Sequence, residues 1–231
     1  MRLLLLSNST NYGGTFLGHA GEMLREFFSE KIGEILFVPY AAVRFPFDAF
    51  TEKVAEQFGP LGYAVRPIHR EADPVVAVER AEAIAVGGGN TFQLLERLYD
   101  GGLLEPIRSR VRAGMPYAGW SAGANVACPT IRTTNDMPIV EPPSFDALGL
   151  VPFQINPHYT DAAIPNHGGE TRKERLLEFA EANPGMPVVG LREGATILVE
   201  GPRTTLLGGK PAVAFLRGRE PWEIDPGPFE L

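Results

Sequence analysis

The 231-residue chain is 44% hydrophobic and 21% charged, the balance of a soluble globular protein with a sizeable core and not of a disordered one. Its 21 Lys and Arg against 28 Asp and Glu give a formal net charge of −7 with no basic tail or stripe, which argues against nucleic acid as a partner. The one cysteine, Cys128, excludes an internal disulfide and a cysteine-rich metal centre, and no apolar run approaches the roughly 20 residues of a membrane helix. The expectation is a cytoplasmic protein without metal, cofactor or membrane partner.

Short apolar runs alternate with stretches of helical period, the pattern of parallel strands joined by crossover helices. Met1-Arg2 before Leu3 to Leu6 is too short for the apolar core of a signal peptide and reads as a buried first strand. After the polar Ser7 to Tyr12 loop, Phe16, Leu17, Ala20, Met23, Leu24, Phe27 and Phe28 share one helix face. Next come a strand at Glu34 to Pro39, a helix carrying Phe50, Val54 and Phe58, and strands near Tyr63 to Ile68 and at Ala83 to Val86. Two helices bearing Phe92, Leu95, Leu98 and Leu104, Ile107, Val111 lead to a strand at Met115 to Trp120. Ser121 opens a short helix that Pro129 stops. Residues Ile131 to Pro152, rich in Pro, Asp and Asn, form an ordered loop. Phe153 to Asn156 is a strand, Thr171 to Ala182 a helix and Val188 to Leu191 a strand. Beyond Ala195, alternation broken at Gly201-Pro202 and Gly208-Gly209 indicates an antiparallel meander closing the sheet edge. The expected fold is one α/β domain over residues 1–231, with a doubly wound, mostly parallel sheet on a flavodoxin-like core.

Gly119-Trp120-Ser121-Ala122-Gly123 matches G-x-S-x-G and sits between a predicted strand and a predicted helix, where a nucleophile elbow belongs. A tight turn there lifts the Ser121 hydroxyl above the sheet, and the Ala122 amide becomes one oxyanion donor. The glycines would equally serve a turn that only packs helix close to strand. Gly87-Gly88-Gly89-Asn90 ends the neighbouring strand in the same way, making Gly89 the second oxyanion donor; Asn90 is a substrate contact or a helix cap.

Serine needs a base. Of the four histidines, His19 lies in the first helix pattern, His69 ends an earlier strand and His167 sits in a Pro-Asn-Gly loop. His158 follows the Phe153 to Asn156 strand, at the edge where catalytic groups gather. Two acids could orient it: Glu193, just past the Val188 to Leu191 strand, and Asp136, in the loop after the elbow; alternatively one orients the imidazole while the other binds substrate. Cys128 lies seven residues past Ser121, two helical turns deeper, and reads as a core thiol.

Together, Leu3 to Thr10, Gly87 to Gln93, Gly119 to Asn125, Cys128 to Val140, Asn156-Pro157-His158 and Gly169 to Arg172 resemble the peptidase E (α-aspartyl dipeptidase) family, nearly end to end. The resemblance implies a class I glutamine amidotransferase-like fold with serine in place of the nucleophilic cysteine, and hydrolysis of dipeptides that begin with aspartate. It makes Ser121 the nucleophile and His158 the base, with Asp136 or Glu193 as the acid. The implied partner is a small Asp-Xaa peptide as substrate; the protein itself is expected to be a monomer or small homo-oligomer.

An aspartyl substrate requires a local cation in a protein of this net charge. Thr171 and Glu174 form a capping-box pattern that puts Arg172 in the first helical turn, where the dipole disfavours it. Such a conflict marks Arg172 as a candidate for the substrate carboxylate. Two other readings remain. An α/β-hydrolase esterase would use Ser121, Asp136 and His158 in that order, although only fourteen residues intervene between Ser121 and Asp136. A flavin-binding module would use Ser7 to Asn11 as a phosphate loop.

Overall fold

The structure is a computed structural model described over residues 1–162 and 168–231. Its strands are β1 (Arg2–Leu6), β2 (Glu34–Val38), β3 (Ala64–Pro67), β4 (Ile84–Val86), β5 (Tyr117–Trp120), β6 (Gln154–Tyr159), β7 (Val188–Arg192), β8 (Thr196–Glu200), β9 (Arg203–Leu207), β10 (Ala212–Phe215), β11 (Trp222–Ile224) and β12 (Gly227–Pro228). Its α-helices are α1 (Gly21–Phe28), α2 (Phe47–Phe58), α3 (Pro74–Arg80), α4 (Thr91–Asp100), α5 (Leu104–Arg112), α6 (Ala122–Asn125) and α7 (Arg172–Ala182).

The leucine run of β1 is buried on both faces because it lies inside a sheet wrapped from two sides. Leu4 and Leu6 pack with Leu24, Phe28, Phe50 and Val54 of α1 and α2. Leu3 and Leu5 pack with Val78, Leu94, Leu98, Ile107 and Val111 of α3, α4 and α5. A two-sided apolar strand of this kind is the mark of a parallel sheet with helices on both faces. Strand order in this eight-stranded sheet is β12-β9-β8-β1-β5-β4-β2-β3. The β1, β5, β4, β2 and β3 half is parallel, and β8, β9 and β12 extend it by antiparallel pairing.

The structure corrects the expected sheet at one point. Strands β6 and β7 do not continue the large sheet; they pair in parallel within a second, four-stranded sheet of order β11-β10-β7-β6. The C-terminal strands are therefore divided between the two sheets and do not form one meander. Hydrophobic alternation explains why this stays hidden in the sequence: it reports that a strand is covered, not by which sheet. One face of the small sheet, with Ile155, Val189, Leu191 and Ala214, joins the main core. The other, with Tyr159, Val188 and Phe215, is covered by Leu176 of α7.

Two helical details differ from the periodicity. The first helix begins only at Gly21, after a 3-10 turn at Gly18–Ala20, because Leu17 takes the left-handed conformation with φ 51°. Leu17 is nonetheless buried, and Phe16 packs edge-on against Phe50 and Trp120, so the apolar spacing survives without the helix. Helix α3 escapes the periodicity altogether. Its start is written in Asp73-Pro74: the Asp73 carboxylate accepts from the Val75 and Val76 amides at 3.0 and 3.1 Å, with proline in the first turn. Asp73→Ala is expected to lower stability by about 1 kcal/mol, read as a lower urea midpoint at unchanged slope.

Candidate active site

Ser121 connects β5 to α6 with φ 53° and ψ −112°, a conformation rarely tolerated outside glycine. Its amide donates to Leu6 O on β1 at 3.0 Å. Gly119 and Gly123 do not supply the unusual dihedrals; they supply space. A Cβ on Gly119 would collide with Gly123 O, and one on Gly123 with Val86 O of β4. The Tyr117 hydroxyl locks the turn by donating to Gly123 O at 2.6 Å. The close packing therefore lies in the glycines and the strained turn in the serine.

His158 lies within β6, not beyond it. Its φ is 54°, and the pairing with β7 shifts register between Pro157 and Tyr159. An irregularity of this sort re-aims a side chain that regular pleating would point elsewhere. Here the imidazole Nε2 lies 2.9 Å from Ser121 Oγ and Nδ1 lies 2.8 Å from Glu193 Oε1. Glu193 is carried by the turn after β7, which Gly194 completes at φ 89°. Side-chain exposures of 39% for His158 and 45% for Glu193 put the pair on the wall of an open cleft, reachable by substrate.

Asp136 is elsewhere, and the structure corrects its candidacy for orienting the imidazole. Its Oδ2 accepts from the Thr91 amide at 2.7 Å, the Thr91 hydroxyl at 2.6 Å and the Thr134 hydroxyl at 3.2 Å. A carboxylate at the first turn of α4 meets unpaired amides and a favourable dipole, which holds it away from His158. Asn90 is the N-cap of the same helix, accepting from Gln93 N at 3.0 Å, while its Nδ2 donates to Met137 O at 2.8 Å. Asp136 and Asn90 therefore secure the loop that precedes α4. In that loop Gly89 has φ 143°, and a Cβ there would strike Ala41 O. Gly88, not singled out from the sequence, is the glycine pressed closest to Ser121: a Cβ on it would come within 3.0 Å of Ser121 Cβ. Neither the Gly89 nor the Ala122 amide has a backbone acceptor among the described residues.

The loop after the elbow also supports β6. Asn135 Nδ2 donates to Pro157 O at 2.6 Å, and Asn156 Nδ2 to Asn135 Oδ1 at 2.6 Å. Buried Thr133 and Asn125 both donate to Ile155 O, at 2.8 and 2.7 Å. The stretch without helix or strand is thus ordered by side-chain hydrogen bonds.

Arg172 opens α7 behind the expected capping box, in which Glu174 N donates to Thr171 Oγ1 at 3.2 Å and Thr171 N to Glu174 Oε2 at 2.6 Å. It is half-buried and has no ion pair among the described residues. Burial, and to a lesser degree nearby Arg175, lowers its pKa. No hydrogen bond joins it to Ser121, His158 or Glu193. His69 bonds Asp48 at 2.7 Å, and His19 has no side-chain partner among the described residues; neither meets Ser121. His167 lies outside the described residues. Two cavities flank the cleft. One of about 580 Å3 is bordered by His158, Glu193, Thr160, Arg192 and Lys210. The other, of about 350 Å3, is bordered by Gly89, Asn90, Asp136, Arg44 and Phe45. Arg44 and Lys210 are exposed loop cations with no motif to announce them. Among the described residues no group of three or more His, Cys, Asp or Glu could hold a metal ion.

The model of peptidase family S51 matches residues 3–207. The chain belongs to peptidase family S51. It is 49% identical over 225 residues to peptidase E of Nostoc sp., covering 97% of this chain and 93% of that protein. It is also 49% identical over 227 residues to peptidase E of Salmonella typhimurium, covering 98% and 99%. Two crystal structures share the fold. One is a Listeria monocytogenes protein assigned to peptidase E, with TM-score 0.70, 24% identity and coverage of 90% of this chain and 98% of that one. The other is a peptidase from an acI-B1 Actinobacterium, with TM-score 0.68, 19% identity and 96% of each chain covered. The chain is a peptidase with the mixed α/β fold of these relatives.

In this S51 peptidase Cys128 is a structural thiol. It is fully buried, accepts from Ile155 N at 3.2 Å and donates to Ala124 O at 3.7 Å. Burial pushes its pKa up to about 12, so almost no thiolate exists at neutral pH. Iodoacetamide at pH 8 is expected to leave the native enzyme fully active and to label Cys128 only after denaturation, as read by intact-mass spectrometry.

Proposed function

We propose that this S51 peptidase is a serine dipeptidase that releases aspartate from Asp-Xaa, with residues 1–231 acting as one catalytic unit. The observation that carries the reading is the unbroken chain of contacts from Ser121 Oγ to His158 Nε2 and from His158 Nδ1 to Glu193 Oε1, at 2.9 and 2.8 Å. Glu193 accepts a hydrogen bond from Nδ1–H and so holds the tautomer in which Nε2 is free to accept the Ser121 hydroxyl proton. Ser121 attacks the aspartate's own peptide carbonyl, and His158 returns the proton to the Xaa amine as the C–N bond breaks, which leaves an aspartyl ester on Ser121. Water then enters by the same base to free the acyl group. The amides of Gly89 and Ala122 receive the oxyanion, each contributing about 3 kcal/mol to lowering the barrier. In this reading Asp136 and Asn90 act by keeping the Gly89 loop in place.

The name carried by the relatives, peptidase E, supports this function, and the aspartate preference follows the family resemblance of the sequence. Arg172 is the proposed partner of the substrate carboxylate. A half-buried guanidinium without an anion partner among the described residues is relieved when a carboxylate arrives. Arg44 and Lys210, at the rims of the two cavities, are positioned to attract a dipeptide with two carboxylates into a protein of negative charge.

Ser121→Ala is expected to abolish hydrolysis of Asp-Leu without changing the thermal midpoint, and Glu193→Gln to lower kcat roughly a hundredfold or more. Full activity in the Ser121 variant removes the serine mechanism. Cleavage of Asp-Leu but not Leu-Asp, with KM for Asp-Leu raised about tenfold or more in Arg172→Ala, is the expected specificity result. Equal cleavage of both peptides removes the aspartate reading.

A further inference from the structure

The polar loop after β1 resembles a phosphate loop in sequence, yet its first two side chains turn inward. Ser7 and Asn8 are 0% and 1% exposed. Ser7 Oγ donates to Leu191 O at 2.7 Å and accepts from the His158 amide at 2.9 Å. Asn8 Oδ1 accepts from the Gly194 amide at 2.8 Å, and its Nδ2 donates to Asn11 Oδ1 at 2.8 Å. With Leu6 O receiving the Ser121 amide at 3.0 Å, three consecutive residues hold the three segments of the triad. Leu6 holds the serine, Ser7 the histidine and Asn8 the turn that carries Glu193.

We propose that Ser7 and Asn8 are positioning residues for the reaction, fixing the His158 ring and the Glu193 carboxylate relative to Ser121; the proposal rests on the triad reading above. Regular β6 backbone offers no reason for His158 to adopt φ 54°. The Ser7 hydroxyl supplies one, because it is an acceptor placed where the displaced amide points. The same hydroxyl donates to β7, two residues before Glu193, so one oxygen couples the strand of the base to the strand of the acid. Asn8 then closes the β7 turn through Gly194. Only a group that is both donor and acceptor fits position 7, and only a side chain with a carbonyl-type acceptor fits position 8.

The test measures kcat and KM for Asp-Leu in Ser7→Ala, Asn8→Ala and Asn8→Asp, with the rate of covalent labelling of Ser121 by a phosphonofluoridate reagent. Asn8→Asp keeps the Oδ acceptor for Gly194. Ser7→Ala and Asn8→Ala are expected to lose roughly 10- to 100-fold in kcat and in labelling rate, the scale of a misplacement of about 1 Å, with KM within about threefold of wild type. Asn8→Asp recovers most of the rate. Folded Ser7→Ala and Asn8→Ala proteins with wild-type kcat overturn the proposal. So does a loss confined to KM, or an Asn8→Asp variant as slow as Asn8→Ala. If Ser7→Ala does not fold, the two Asn8 variants decide alone, and failure of both alanine variants to fold makes the loop merely structural and also overturns it. The triad reading fails separately, if the reagent does not modify Ser121 of the wild-type protein.

Discussion

The site depends on one meeting of two sheets. Ser121 follows a strand of the large sheet, while His158 lies in the small one and Glu193 follows a strand of it, and the hydrogen bond from Ser121 to His158 exists only while the ends of β5, β6 and β7 stay in register across that boundary. The end of β1 is where the two sheets are tied. Its backbone pairs on one side with β5 and on the other with β8, while the residues just beyond it reach β6 and β7 through side chains. A central strand buried on both faces is the least deformable place in an α/β fold to which such a tie could be anchored.

Strain at the site is matched by docking. Ser121 and His158 are two of only four non-glycine residues with positive φ among the described residues, and each such residue costs of order 1–3 kcal/mol. The Ser121 amide continues the β1–β5 ladder onto Leu6, and the His158 amide, displaced from regular pairing, is received by Ser7, so one short segment serves both. Around them the polar groups of the Thr133 to Asp136 loop are spent on backbone atoms of β6 and α4. The reactive side chains are left to face solvent and substrate, while supporting polar groups are buried and bonded, a division expected of a preorganised site.

Much of this was legible in the sequence because it depends on local rules. The Leu3 to Leu6 run, the glycines around Ser121 and the Gly87 to Asn90 turn each have one economical structural explanation, and the capping box at Thr171 and Glu174 formed as written. The choice between Asp136 and Glu193 was not legible, since both follow strands or turns at the correct edge and only three-dimensional distance separates them. Thr91 was the missing clue: a hydroxyl beside a helix start gives a nearby aspartate somewhere better to go. The division into two sheets was hidden for the reason that burial is blind to neighbours. Ser7 and Asn8 were hidden because their partners lie more than 150 residues away, and their loop composition imitates a different kind of site.

That separation governs when the enzyme comes into being. During synthesis β1 to β5 precede β6 and β7, so the groups that hold the Ser121 elbow, Leu6 O of β1 and Val86 O of β4, are made before the strands that carry the imidazole and the carboxylate. The imidazole and the carboxylate arrive only after β6 and β7 have been made and have docked against Ser7 and Asn8 at the end of β1, the kind of long-range closure that is slow in folding. A growing or partly assembled chain therefore holds a serine with no base. In the reading proposed above, the triad is complete only once the small sheet has joined the large one.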